Sequence, residues 1–214
     1  MSKRVGILGS GQVAQVLAAG FKKHGYDVRI GSREPAKLGE FSKAQGMATG
    51  DFAQVAAHGE IVVLAVKGLA ALDALQLAGA DHLKGKTVID TTNPIANEPP
   101  QHGVLRYFTG PNESLMERLQ AAYPEARFVK AFNSVGAAFM VNPTFPGGPP
   151  TMFLAGNDAA AKAAVQEILG QFGWDVADMG YVEAARPIEA LCQLWCAPGL
   201  LRNEWTHALK LVRL

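Results

Sequence analysis

The 214-residue sequence predicts an α/β fold built on a doubly wound parallel sheet, on three observations. Strand-like and helix-like segments alternate through its first half, the pattern of strands joined by crossover helices. The run Ile61 to Val66 is apolar without polar alternation, as a strand covered on both faces should be. A glycine-rich turn, Gly9-Ser10-Gly11-Gln12-Val13-Ala14, leads from a short apolar run straight into helix-forming sequence.

The elements follow in order. Val5 to Leu8 is the first strand, and Val13, Val16, Leu17 and Phe21 recur at helical spacing over about Gly11 to His24. Asp27 to Ile30 is the second strand. Pro35 opens a second helix to about Ala44, because proline in a first turn loses no needed hydrogen bond. A short strand at Met47 to Thr49 precedes a small helix with Asp51 as N-cap. After the strand at Ile61 come a helix over Leu69 to Ala78, a fifth strand at Thr87 to Asp90, and an irregular loop from Ile95 to Pro111. A helix over Glu113 to Ala122 leads to the sixth strand, Arg127 to Ala131. The proline- and glycine-rich run Asn142 to Pro150 marks a boundary. Beyond it lie a strand at Thr151 to Ala155, a helix over Ala159 to Phe172 and a strand at Trp174 to Ala177. A helical tail then runs from Ala184 to the end, with a break expected at Pro198-Gly199.

The chain is long enough to bury one substantial core with a small annex. Its net charge is +1, and no cluster of positive charge suggests a nucleic-acid groove or a polybasic membrane patch. Cys192 and Cys196 stand at i,i+4, which reads as thiols on one helix face; no His or Cys cluster accompanies them, so no metal site is expected. The N-terminal apolar stretch is too short for a signal peptide, and Lys67 and Asp73 interrupt the most apolar region. A cytoplasmic protein is the expectation.

The glycine turn is the local recipe for a dinucleotide pyrophosphate. Gly9 permits the tight turn, Gly11 lets the backbone approach phosphate, and Ala14 allows close packing of helix on strand, so that free N–H groups point at the anion. An NAD site usually has a carboxylate at the end of the second strand. Here Gly31-Ser32-Arg33 fills that place, with Lys37 a helical turn on. A guanidinium can fork onto a 2′-phosphate where a carboxylate would repel it, so NADP is favoured; Glu34 leaves room for NAD. Ligands bind beyond the carboxyl ends of such strands, so Ala65, Val66 and the tail Thr91-Thr92-Asn93-Pro94 belong to the cofactor's path, with Ala137 near its end.

Oxidation of an alcohol needs a positioned acid or base. Lys130 lies in an apolar strand and reads equally as a structural residue snorkelling to the sheet end, His102, Lys162 and His207 have unremarkable contexts, and no candidate stands out. Hydride transfer between two stacked rings needs positioning instead, from small residues at strand ends. Asn133, Ser134, Val135 and Gly136 supply that lining, although such residues also serve as plain caps and turns.

Together, Gly6 to Ala14, Gly31-Ser32-Arg33, Val88 to Pro94, Val129-Lys130-Ala131-Phe132-Asn133-Ser134-Val135-Gly136, and Asp178-Met179-Gly180 through Ala185-Arg186-Pro187-Ile188-Glu189 resemble the F420-dependent NADP oxidoreductase family. The resemblance implies a Rossmann domain over residues 1–145 and a small C-terminal domain over 146–214 serving the acceptor site and a homodimer. It also implies NADP on the glycine loop and Ser32-Arg33, with a deazaflavin (coenzyme F420) or flavin stacked near Asn133 to Gly136. Archaeal deazaflavin enzymes carry His-Thr-Ile-Pro at those four positions, a departure that bears on the acceptor. Two alternatives stand beside this reading: an NADPH-dependent reductase of a small keto or imino substrate, and a non-catalytic NADP-binding sensor. Trp195, Leu200, Leu201, Trp205 and Leu209 fit either a subunit interface or a cover for the sheet.

Overall fold

A computed structural model describes residues 2–213. Six parallel strands form the main sheet: β1 (Arg4–Leu8), β2 (Asp27–Gly31), β3 (Ala48–Gly50), β4 (Ile61–Leu64), β5 (Thr87–Asp90) and β6 (Arg127–Lys130). Their spatial order is β3-β2-β1-β4-β5-β6, so the order reverses between β1 and β4 and opens a crevice at their carboxyl ends.

Strand alternation sorts the core into two layers. Val5, Ile7, Val63, Ile89 and Val129 face one side. There they meet Leu17 and Phe21 of α1 (Gln12–Lys23) and Val165 and Leu169 of α7 (Ala159–Gln171). Leu8, Val62, Leu64, Val88 and Phe128 face the other side. Their partners there come from α3 (Phe52–His58), α4 (Ala71–Ala78), α6 (Leu115–Ala122) and the start of α8 (Ala185–Arg202). The glycine at position 6 follows from this packing, because a β-carbon there would stand 2.3 Å from the Val55 carbonyl oxygen of α3. Asp51 caps α3 and Ser114 caps α6, each in a reciprocal capping box with Gln54 and Glu117.

The second helix opens as a 3₁₀ turn over Pro35–Leu38 before α2 (Gly39–Gln45), and a short α5 (Ala80–Leu83) was not foreseen. β7 (Thr151–Leu154) and β8 (Asp175–Asp178) pair in parallel as a separate two-stranded sheet, which touches the main one through an antiparallel bridge from Lys130 to Ala155. Met152 and Leu154 join the same apolar cluster as Ile7 and Val129, so the core runs continuously across residue 145.

The C-terminal expectation is corrected in two ways. α8 passes through Pro198 without a break, and it stops at Asn203, which takes a left-handed conformation. Residues 203–213 then fold back. Trp195 Nε1 donates to the His207 carbonyl at 2.9 Å, the two rings stack, and Trp205 lies close enough to Gly199 that a β-carbon there would sit 2.3 Å from the indole. Further on, the Thr151 amide donates to the Leu209 carbonyl at 2.9 Å, on the side of β7 away from β8. No helix among the described residues is long and apolar enough to cross a membrane.

Candidate dinucleotide and acceptor site

The crevice is one groove in two connected parts that share Gly11, Ala65, Val66 and Lys67. The first part, about 330 Å³, is walled by Gly9, Ser10, Gly11, Ser32, Arg33, Glu34 and Lys37, with Phe52 and Ala74 at its base. The second, about 430 Å³, is walled by Gln12, Val13, Leu69, Thr91, Thr92, Asn93, Ile95, Ala96 and Asn97.

Between them lies the start of α1. Gly11 is its N-cap and supplies no side-chain cap, so the first-turn N–H groups are without side-chain partners. A β-carbon on Gly11 would meet nothing within 4 Å, whereas one on Gly9 would stand 2.1 Å from the Ala65 carbonyl oxygen. Gly9 is thus required by the close approach of the segments after β1 and β4 and by its φ of 144°, whereas no protein atom requires Gly11, which leaves the space in front of the helix open. Free helical N–H groups facing an open groove fit a dinucleotide pyrophosphate.

At the far end of the first part, the Ser32 hydroxyl accepts the Glu34 amide at 3.1 Å. Lys37 Nζ is 2.7 Å from Glu34 Oε1, and that hydrogen bond and the ammonium charge hold the Glu34 carboxyl below its ordinary range. Arg33 is exposed and has no ion-pair partner among the described residues. Glu34 is thus paired with Lys37, while Arg33 and Lys67 line this part in no ion pair among the described residues, and Asp73 lines it as well.

The second part is mainly apolar. Its walls are pinned by close backbone contact: a β-carbon on Gly68 would stand 2.0 Å from the Asn93 carbonyl oxygen, which fixes the segment after β4 against the segment after β5. The loop after Pro94 covers this end as expected, but it pairs with itself through bridges Ile95–Tyr107 and Gln101–Val104. On its outer side, between the loop and α8, is a larger groove of about 1080 Å³.

Pro94, Asn133, Ser134, Val135, Gly136 and Ala137 do not wall either part of the dinucleotide groove. Asn133, Ser134 and Val135 are buried. They sit one layer back: Asn93 Nδ2 donates to the Asn133 carbonyl at 2.8 Å, and Asn133 Nδ2 donates to Asn93 Oδ1 at 3.1 Å and to the Ile188 carbonyl at 2.8 Å. Asn133 Oδ1 is buried without a hydrogen-bond partner. Trp195 packs on Gly136. The turn into this segment is strained, since Phe132 is fully buried with φ at +63°.

Lys130 does not snorkel to the sheet end. Its side chain is 0% exposed, with Nζ 2.6 Å from Asp90 Oδ2 and 2.7 Å from Glu189 Oε1, and it donates to the Thr92 carbonyl at 2.8 Å. Asp90 Oδ2 has no hydrogen bond of good geometry, so charge holds it there. Burial acts to strip the proton from Lys130, but the two carboxylates more than offset it, and its pKa is raised. The remaining Glu189 capacity is taken by the Leu115 and Met116 amides at the N-terminus of α6, at 2.9 and 3.1 Å. Sequence reasoning missed the cluster because its members are 40 and 59 residues apart along the chain. It also left out Lys67, although its place just past β4 is the signal that found Ala65 and Val66.

A parallel sheet of this strand order, with a glycine turn at the crevice where the order reverses, is a Rossmann-type nucleotide-binding fold. The chain belongs to the F420-dependent NADP oxidoreductase family. Residues 4–94 match the family described as "NADP oxidoreductase coenzyme F420-dependent". The crystal structure of a protein from Arthrobacter sp. FB24, assigned as an F420-dependent NADP reductase, superposes with a TM-score of 0.92 at 33% identity, covering 100% of both chains. Metalloreductase STEAP3 of Rattus norvegicus is 32% identical over 205 residues, and metalloreductase STEAP2 of Homo sapiens 28% over 209. Those matches take in 92% and 91% of this chain but only 39% and 37% of the relatives' own length. The protein is an NADP-dependent oxidoreductase.

Proposed function

We propose that the protein moves a hydride between NADP(H) and a deazaflavin or flavin. The observation that carries this is the composition of the second part of the groove. Its walls are Val13, Ala65, Val66, Leu69, Ile95 and Ala96 with the uncharged polar residues Gln12, Thr91, Thr92, Asn93 and Asn97; Lys67 is the one ionisable wall residue, and it stands at the joint with the first part. Such a surface orients planar rings and excludes water, and a ring acceptor carries its own electron sink. The glycine turn and α1 hold the pyrophosphate, Ser32 and Arg33 with Lys37 hold the 2′-phosphate, and Asn93 borders the nicotinamide. Asn133 to Ala137, at the end of a Rossmann domain over residues 1–145, support that border from behind, and the small C-terminal domain over 146–214 serves the acceptor.

Anaerobic mixing with NADPH and oxidised F420, FMN or FAD tests the reading: loss of the acceptor's visible band is expected with at least one. No turnover with any of them sinks it, and consumption of NADPH by ketones or cyclic imines instead would establish the alternative. The likeness to metalloreductases makes a ferric chelate, with and without added flavin, a useful further arm. The homodimer belongs to the same proposal, supported by the exposed side chains of Leu194, Leu200 and Leu201 on α8. A monomeric mass by light scattering would remove it.

A further inference from the structure

We propose that the buried cluster Lys130, Asp90 and Glu189 is a positioning device for the nicotinamide end of the groove, with Glu189 latching it to α8. Every polar backbone and side-chain group of Thr92 is held by this cluster. Its amide and hydroxyl donate to Asp90 Oδ1 at 2.9 and 2.7 Å, and its carbonyl accepts from Lys130 Nζ at 2.8 Å. Thr92 is a wall residue of the cavity assigned to the nicotinamide. Asn93, beside it, is tied to Asn133, whose amide reaches the Ile188 carbonyl next to Glu189. The end of β5, which faces the groove, and the end of β6 behind it are thus clamped to one turn of α8.

A fold-keeping role alone does not call for this arrangement. Burying one ammonium with two carboxylates carries a heavy desolvation penalty, and well-packed apolar residues hold a core as well or better. Here the charges are turned to fixing the carbonyl, amide and hydroxyl of one groove residue, which apolar side chains cannot do. Lys130, Asp90 and Glu189 touch no part of the groove's contents, so they act through Thr92 and Asn93.

The inference rests on the reading that the nicotinamide occupies the Thr91-to-Asn97 cavity. Its test is a pair of calorimetric titrations, NADPH and 2′-phospho-ADP-ribose, which has the same phosphates and no nicotinamide. Glu189→Gln keeps shape and removes charge; Lys130→Met removes the centre. Both should weaken NADPH about tenfold, the scale of a lost charge-assisted contact, while the fragment binds within about twofold of wild type. Equal weakening of both ligands marks a purely structural role and overturns the inference, as does unchanged NADPH binding by folded Glu189→Gln. Wild-type protein that binds the fragment but gains nothing from the nicotinamide would overturn the placement of the ring, and this inference with it.

Discussion

Gly68 lies edge-on to Asn93, so close that a single added methyl would stand 2.0 Å from the Asn93 carbonyl oxygen. Gly68→Ala must push the segments after β4 and β5 apart. Overpacking of this kind costs about 1–3 kcal/mol. A lowered melting temperature together with weaker NADPH binding, and near-normal binding of 2′-phospho-ADP-ribose, is the expected result of calorimetry on this variant.

Arg33 lines the first part of the groove in no ion pair among the described residues, whereas Lys37 already faces Glu34. Arg33→Ala should weaken NADPH by roughly 10- to 100-fold, the range of a hydrogen bond to a charged group, and leave NADH unchanged. Fluorescence titration with both cofactors checks it; an equal loss for both would move the 2′-phosphate elsewhere.

Glu117 joins α6 to α8 by a bidentate contact with Arg186 at 2.6 to 3.1 Å. Burial alone would raise its pKa, but Arg186 and the Ser114 hydroxyl and amide more than offset that and hold it low. A lowered folded pKa gives stability that is present above the unfolded value of about 4.3 and lost as pH falls through the folded one. Lys130 has the opposite sign: its raised pKa gives stability that is intact below about 10.4 and lost at still higher pH. Scanning calorimetry should therefore show stability falling below about pH 5, and Glu117→Gln should flatten that acid limb.

The two thiols of α8 differ although their sulfurs are 3.9 Å apart. The contact with Cys196 and burial push Cys192 up, while the same contact lowers Cys196, which is also the more exposed. Iodoacetamide should label Cys196 in the native protein and Cys192 only after unfolding. Peptide mass mapping that finds Cys192 modified first would reverse this assignment.

Gly199→Ala drives a β-carbon into the Trp205 ring and should free the segment after Arg202. Trypsin would then cut at Arg202 faster than in wild type, while the main sheet stays intact by circular dichroism.

The sheet was legible because each buried strand carries its own signal. Ile61 to Leu64 is apolar throughout, and Asp51 and Pro35 announce their helices locally. The place of Ser32 and Arg33 on the groove was legible for the same reason, since they follow a strand at a fixed distance from the glycines. The tail was not. Pro198 is tolerated inside α8, where the carbonyl it leaves unpaired belongs to Leu194 on the exposed face, and the helix ends where Trp205 and His207 find Trp195 and Gly199. Nor could the sequence show that Asn133 to Val135 turn inward: the left-handed Phe132 sets that direction, and only the packing of its ring against Phe172 and the Met152 contact impose it.

β7 belongs to a sheet of two strands, so its flank away from β8 would offer unpaired backbone groups to any neighbouring chain. Residues 209–211 occupy that flank, with Leu209 accepting the Thr151 amide and the Leu211 amide reaching the Thr151 hydroxyl at 3.0 Å. The folded-back tail thus closes the Thr151 end of that flank, as the bridge from Lys130 closes its Ala155 end, so that neither is left as an open strand edge.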